Sequence, residues 1–181
     1  MSYLGRYKVQ QRGMTLIEVL IAFVILAIGM LGIAGMLILS SKANNSSYAK
    51  QQAVQCIYDI FDKIRANTQA AINGNYNISN INSSGAPVLP AAPGAMCNQS
   101  ACSSAQLASY DTWYWLSFDV SRLPSGSGSI TSAPAPGTGK NTIITVTVQW
   151  DDSLAQKLVG ASSNPSPTNP NYVQLSVQSQ L

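Results

Sequence analysis

Apolar residues are spread unevenly along this chain of 181 residues. From Val19 to Leu39 every position is Ala, Val, Ile, Leu, Met, Phe or Gly, 21 in succession. A helix rises about 1.5 Å per residue, so such a run covers the ~30 Å hydrocarbon layer of a bilayer. It is apolar on all sides rather than along one stripe, which predicts a membrane-spanning helix. The pattern then changes. Ser40 to Arg65 contains neither Gly nor Pro, and Ala49, Ala53, Ile57, Ile60 and Ile64 recur at steps of three or four, the single stripe of an amphipathic helix. Asp59 with Lys63, and Asp62 with Arg65, have the spacing of helix-surface ion pairs. One helix is therefore expected from Met14 to Arg65, with Gly29, Gly32 and Gly35 as weak points or close-packing positions in its apolar half.

Asn73-Gly74 marks a stop and a turn. Residues 75–101 are rich in Asn, Ser, Ala, Pro and Gly, with Pro87, Pro90 and Pro93 barring a helix, and read as one long loop. Ser103 or Ser104 can cap a second helix, roughly Ala105 to Arg122, closed by Leu123-Pro124; a strand is the competing reading. On that helix Ala108, Trp115, Leu116, Asp119, Val120 and Leu123 fall mostly on one side. The aromatic cluster Tyr110, Trp113, Tyr114 and Trp115 is expected in the core rather than as a stacking surface for sugar or nucleic acid. A Gly/Ser/Pro stretch, Ser125 to Gly139, leaves room for a short strand near Ser129–Thr131. Thr142 to Trp150 alternates, with Ile144, Val146, Val148 and Trp150 on one face. Past Asn164-Pro165 and Asn169-Pro170, Tyr172–Gln178 turns Val173, Leu175 and Val177 inward. The expected fold class is α+β: a long N-terminal helix packed on a small antiparallel sheet, with a second helix.

Charge and reactive groups narrow the function. The formal net charge is +3, but Arg6, Lys8 and Arg12 precede the apolar run, and the remaining seven basic residues balance seven acidic ones. Nucleic-acid binding is not expected. With the basic start held in the cytoplasm, everything beyond Leu39 faces an oxidising compartment, and Cys97 and Cys102 in CNQSAC are expected to form a disulfide. The third cysteine, Cys56, reads as a buried thiol, with an intermolecular bridge as the alternative. With no histidine and three cysteines, no metal or other cofactor is expected. Asp151 and Asp152 could hold calcium, though adjacent acids at a strand end are more often solvated. With the lone glutamate in the apolar segment, the chain offers few groups for acid–base or nucleophilic catalysis, and no enzyme is expected.

That glutamate is Glu18, at the edge of the apolar run and five residues after Gly13. A charge inside a membrane costs roughly 2.5–3.5 kcal/mol at the helix centre and less near an end, so it requires a partner or reaches the headgroups. Gly13 offers a protease open backbone, and cutting there would give Met14 a charged amine four residues before Glu18. Glycine, apolar Met14, Thr15, Glu18 and the helix after a basic leader together resemble the processing signal of type IV prepilins and pseudopilins. That resemblance implies cleavage after Gly13 by prepilin peptidase, N-methylation of Met14, and Glu18 as the subunit-assembly residue. Met14 stands where most major pilins have Phe; Met is more usual in minor components. The IAFVILAIGMLGIAGM text, Arg65-Ala66-Asn67, Trp115 before Leu123-Pro124, Gly126 with Gly128, and ITVTVQWDD resemble the type IV pilus modification (PilV) subfamily of minor pilins.

The implied organisation is a leader (1–13), a transmembrane and assembly helix (14–39), its amphipathic continuation (40–66) and a soluble periplasmic domain (67–181). The implied partners are other minor pilins and pilus subunits, prepilin peptidase and inner-membrane lipid. A pseudopilin of a type II secretion system is the nearest alternative. A surface-binding module at a pilus tip is another.

Overall fold

The computed structural model describes residues 13–81, 87–136, 141–153 and 172–181. The leader up to Arg12 and the Asn164-Pro165 and Asn169-Pro170 loop lie outside them. Two compact units divide the chain, Met1–Ser41 and Lys42–Leu181, and one helix, α1 (Leu16–Ala66), contributes to both. In the first unit α1 carries the apolar run, and its side chains are exposed throughout.

In the second unit the expected stripe is the buried face of α1: Ala49, Ala53, Ile57, Ile60 and Ile64, joined by Cys56 and Phe61. Both expected ion pairs form, Lys63 Nζ to Asp59 at 2.7 Å and Arg65 Nη1 to Asp62 at 3.2 Å. A five-residue helix, α2 (Thr68–Ile72), follows and ends in a turn whose Gly74 has φ +77°, the left-handed conformation that glycine adopts without a Cβ clash. The span 75–101 is not loop throughout. It contains a two-residue strand, β1 (Ile78–Ser79), too short to leave an alternation in the sequence.

Helix α3 (Ser104–Tyr114) starts at Ser103 with a full capping box: Ser103 Oγ accepts from the Gln106 amide, and Gln106 Oε1 accepts from the Ser103 amide. The chain stays helical to Arg122, first as a π-helical turn (Trp115–Asp119) and then as a 3₁₀ turn (Val120–Arg122). Strands β2 (Ser127–Pro134), β3 (Thr142–Asp151) and β4 (Tyr172–Gln180) complete a four-stranded antiparallel sheet in the order β1-β2-β3-β4. The register sets Ile130 opposite Val146 and Val146 opposite Val177. Ile144, Val146, Val148 and Trp150 are fully enclosed, with Val173, Leu175 and Val177 packed at the edge of the same core. Trp115, Leu116, Val120 and Leu123 join them. The Trp115 ring lies against Gly128, where a Cβ would come 2.6 Å from Cη2.

Two further expectations are corrected. Of the four aromatics assigned to the core, only Trp115 is there; Tyr110 and Trp113 are half-buried and Tyr114 is exposed. The helical period explains it: Ala108, Asp111, Thr112, Trp115 and Leu116 form the inner face, and the other three rings lie opposite. Nor are Asp151 and Asp152 both solvated. Asp152 is buried and accepts from Ser46 Oγ at 3.1 Å, while Asp151 accepts from the Ser153 amide at 2.8 Å. Among the described residues no group of acids, histidines and cysteines is placed to hold a metal ion.

Candidate functional site: the start of α1 and the platform around α3

Gly13, Met14 and Thr15 precede the first turn of α1 in non-helical backbone. The Thr15 carbonyl opens the helix, accepting from the amides of Glu18 (3.1 Å) and Val19 (3.3 Å). No described atom lies within 4 Å of a Cβ built on Gly13, and Met14 is 74% exposed, so among the described residues nothing covers the Gly13–Met14 peptide. Glu18 sits in the first turn, where the unpaired amides of the helix start favour a negative charge. The three residues singled out in the sequence, Gly13, Met14 and Glu18, thus lie along a short stretch that passes from non-helical backbone into the first turn of α1. From Leu16 the helix is long and apolar enough to cross a membrane, and none of its most apolar window is covered. No described atom crowds Gly29, Gly32 or Gly35, so each offers a Cβ-free surface.

In the second unit Cys97 and Cys102 are joined as expected, with Cα atoms 5.5 Å apart, and the bridge ends one residue before the Ser103 cap. Cys56 is a free buried thiol; burial, with Asp119 adding to it, pushes its pKa up to about 11. The Cys56 carbonyl accepts from Trp115 Nε1 at 2.9 Å, which fixes the π turn to α1. Beside it a cleft of about 220 Å³ is lined by Gln52, Gln55, Asp59, Asp119 and Arg122. Lys63 bridges its two acids, at 2.7 Å from Asp59 and 3.9 Å from Asp119.

One group of polar residues went unnoticed in the sequence. Tyr76 is fully buried and donates to Asp111 Oδ2 at 2.7 Å, while Asn67 Nδ2 donates to the Ser104 carbonyl at 2.8 Å and lies 3.4 Å from Tyr76 Oη. Burial raises the pKa of both Tyr76 and Asp111; for Asp111 the Tyr76 hydrogen bond and Lys63 oppose that shift. Only the Asn67 position, at the end of α1, could have hinted at a capping role.

Two family models match this chain: the prokaryotic N-terminal methylation motif over residues 8–34 and the type IV pilin Tt1218 over residues 35–113. No curated protein and no solved structure matches it. The pilin family is a structural, non-enzymatic one, and the apolar helix and methylation motif are consistent with membrane anchoring and pilus assembly. Two adjoining matches from residue 8 to residue 113, on a chain with a long apolar helix and a small four-stranded antiparallel sheet, support a type IV pilin.

Proposed function

We propose that this protein is a minor pilin of the PilV type, cut after Gly13 by prepilin peptidase and methylated on Met14, which helps to prime pilus assembly. The observation that carries the reading is the Gly13–Met14 peptide, covered by no described residue, directly before a helix whose first turn holds the lone glutamate. Three cations precede the apolar run, which favours a cytoplasmic leader and a periplasmic second unit. Processing leaves an amine at Met14 and a carboxylate at Glu18, each costly to hold unpaired in lipid. The carboxylate of one subunit paired with the amine of the next neutralises both and sets their axial stagger. Other minor pilins are the neighbours in this reading.

Mass spectrometry of the membrane-resident protein tests the first step. The expected form begins at N-methylated Met14, and an intact Met1 start overturns the proposal. Photocrosslinkers placed on the exposed side of α1, at Gln51 and Val54, test the second. Capture of minor pilins supports the priming role, and capture of secretion pseudopilins instead assigns the chain to a type II secretion system.

A further inference from the structure

The outer face of α3 and its π turn carries four aromatic rings in mutual contact. Tyr110 lies 5.9 Å from Trp113 and 6.2 Å from Tyr114, Trp113 meets Phe118 edge-on at 5.4 Å, and Tyr114 meets Phe118 at 4.9 Å. Tyr114 is 36% exposed and Phe118 45%, so this is a surface cluster and not an outlying part of the core. The π turn keeps Trp115 and Leu116 inside while Phe118 extends the outer row; such turns are rare and recur at functional sites. Contiguous exposed aromatic surface marks a binding face.

We propose that this face binds a neutral carbohydrate chain. The rim decides between occupants. Lys63 lies over the Tyr114 ring, 4.9 Å from its centre, and is bracketed by Asp59 and Asp119. With Arg122, which lines the adjoining cleft alongside both acids, the rim balances two positive and two negative groups. It therefore has no net charge with which to select an ionic ligand. An apolar protein face laid across it would strip water from these charges without replacing their hydrogen bonds. A sugar avoids that cost. The C–H face of a pyranose is weakly positive and lies flat on the negative face of an aromatic ring, while its hydroxyls reach the carboxylates and the Gln52 and Gln55 amides. The inference draws only on residues 52–122 and stands apart from the pilus reading.

The test uses the full-length protein in a polyoxyethylene detergent, which has no sugar headgroup. Cellohexaose, chitohexaose and maltohexaose are titrated separately, read by saturation-transfer NMR and tryptophan fluorescence. At least one is expected to bind saturably, with affinity lowered about tenfold or more in Trp113→Ala and Phe118→Ala and retained in Trp113→Phe. Circular dichroism melts check that the variants remain folded. No binding of any of the three sugars overturns the proposal, as does undiminished binding by both folded alanine variants. A crosslinker at Phe118 that captures another protein subunit, with no sugar bound, overturns it in favour of a protein interface.

Discussion

Tyr76 donates its phenolic hydrogen to Asp111 at 2.7 Å, joining the turn after α2 to the middle of α3 across 35 residues of sequence. Both partners are buried, so the bond is worth more than a surface contact, and removing one side strands the other. Tyr76→Phe keeps the ring and its packing but leaves Asp111 without its donor. The expected loss is about 1–3 kcal/mol in urea unfolding. An unchanged midpoint would mean that Asp111 finds an equivalent partner.

The same carboxylate makes a pH prediction. Burial raises the Asp111 pKa above its ordinary 3.8, against the Tyr76 hydrogen bond and Lys63 and with Asp59. The folded state thus binds the proton more tightly than the unfolded state. This contribution to stability is full below 3.8 and is lost as pH rises through the shifted value. Asp111→Asn retains an acceptor for Tyr76 and removes the titration. The stability difference between wild type and variant is therefore expected to move in the wild type's favour as pH falls from neutral into the carboxylate range. A pH-independent difference would contradict it.

Thiol chemistry separates the three cysteines. With Cys97 and Cys102 bridged and the Cys56 pKa pushed up to about 11, the unreduced native protein should be nearly inert to a thiol reagent at pH 8. Unfolding without reductant should release one reactive thiol per chain. Three would show the bridge unformed.

Two glycines differ in what surrounds them. A Cβ on Gly128 meets the Trp115 ring and Leu116 side chain, whereas one on Gly126 runs into the Val120 carbonyl, which cannot rotate away. Both alanine variants should be destabilised by about 1–3 kcal/mol or more, Gly126→Ala the more severely. The order of their thermal midpoints checks this.

Glu18 tests assembly. Glu18→Ala leaves Gly13 and Met14 in place, so immunoblots should show normal processing while incorporation into pili falls sharply. Unchanged incorporation would remove the charge pairing from the proposal.

The long elements were legible because each repeats one period many times. The α1 stripe from Ala49 to Ile64 and the alternation from Ile144 to Trp150 are buried as their spacing dictates. What escaped was short or depended on distant partners. Two residues of β1 show no period, and the Tyr76–Asp111 bond needs the fold to bring its ends together. The aromatic row was placed on the wrong side because hydrophobicity alone argues for burial. The inner face of α3 was already filled by Ala108, Thr112, Trp115 and Leu116. At the N-terminal site, Gly13 and Glu18 stood out in the sequence because each is a chemical exception in its setting.

The division of the chain at Ser41 and Lys42 has a practical consequence. Among the described residues every side chain in the core cluster lies after that point, beginning with Ala49, and Ser46, the tether to Asp152, is kept as well. A fragment opening at Lys42 sheds the grease and keeps all the interior packing of the described residues. It should come out of cells without detergent and melt as a single cooperative body.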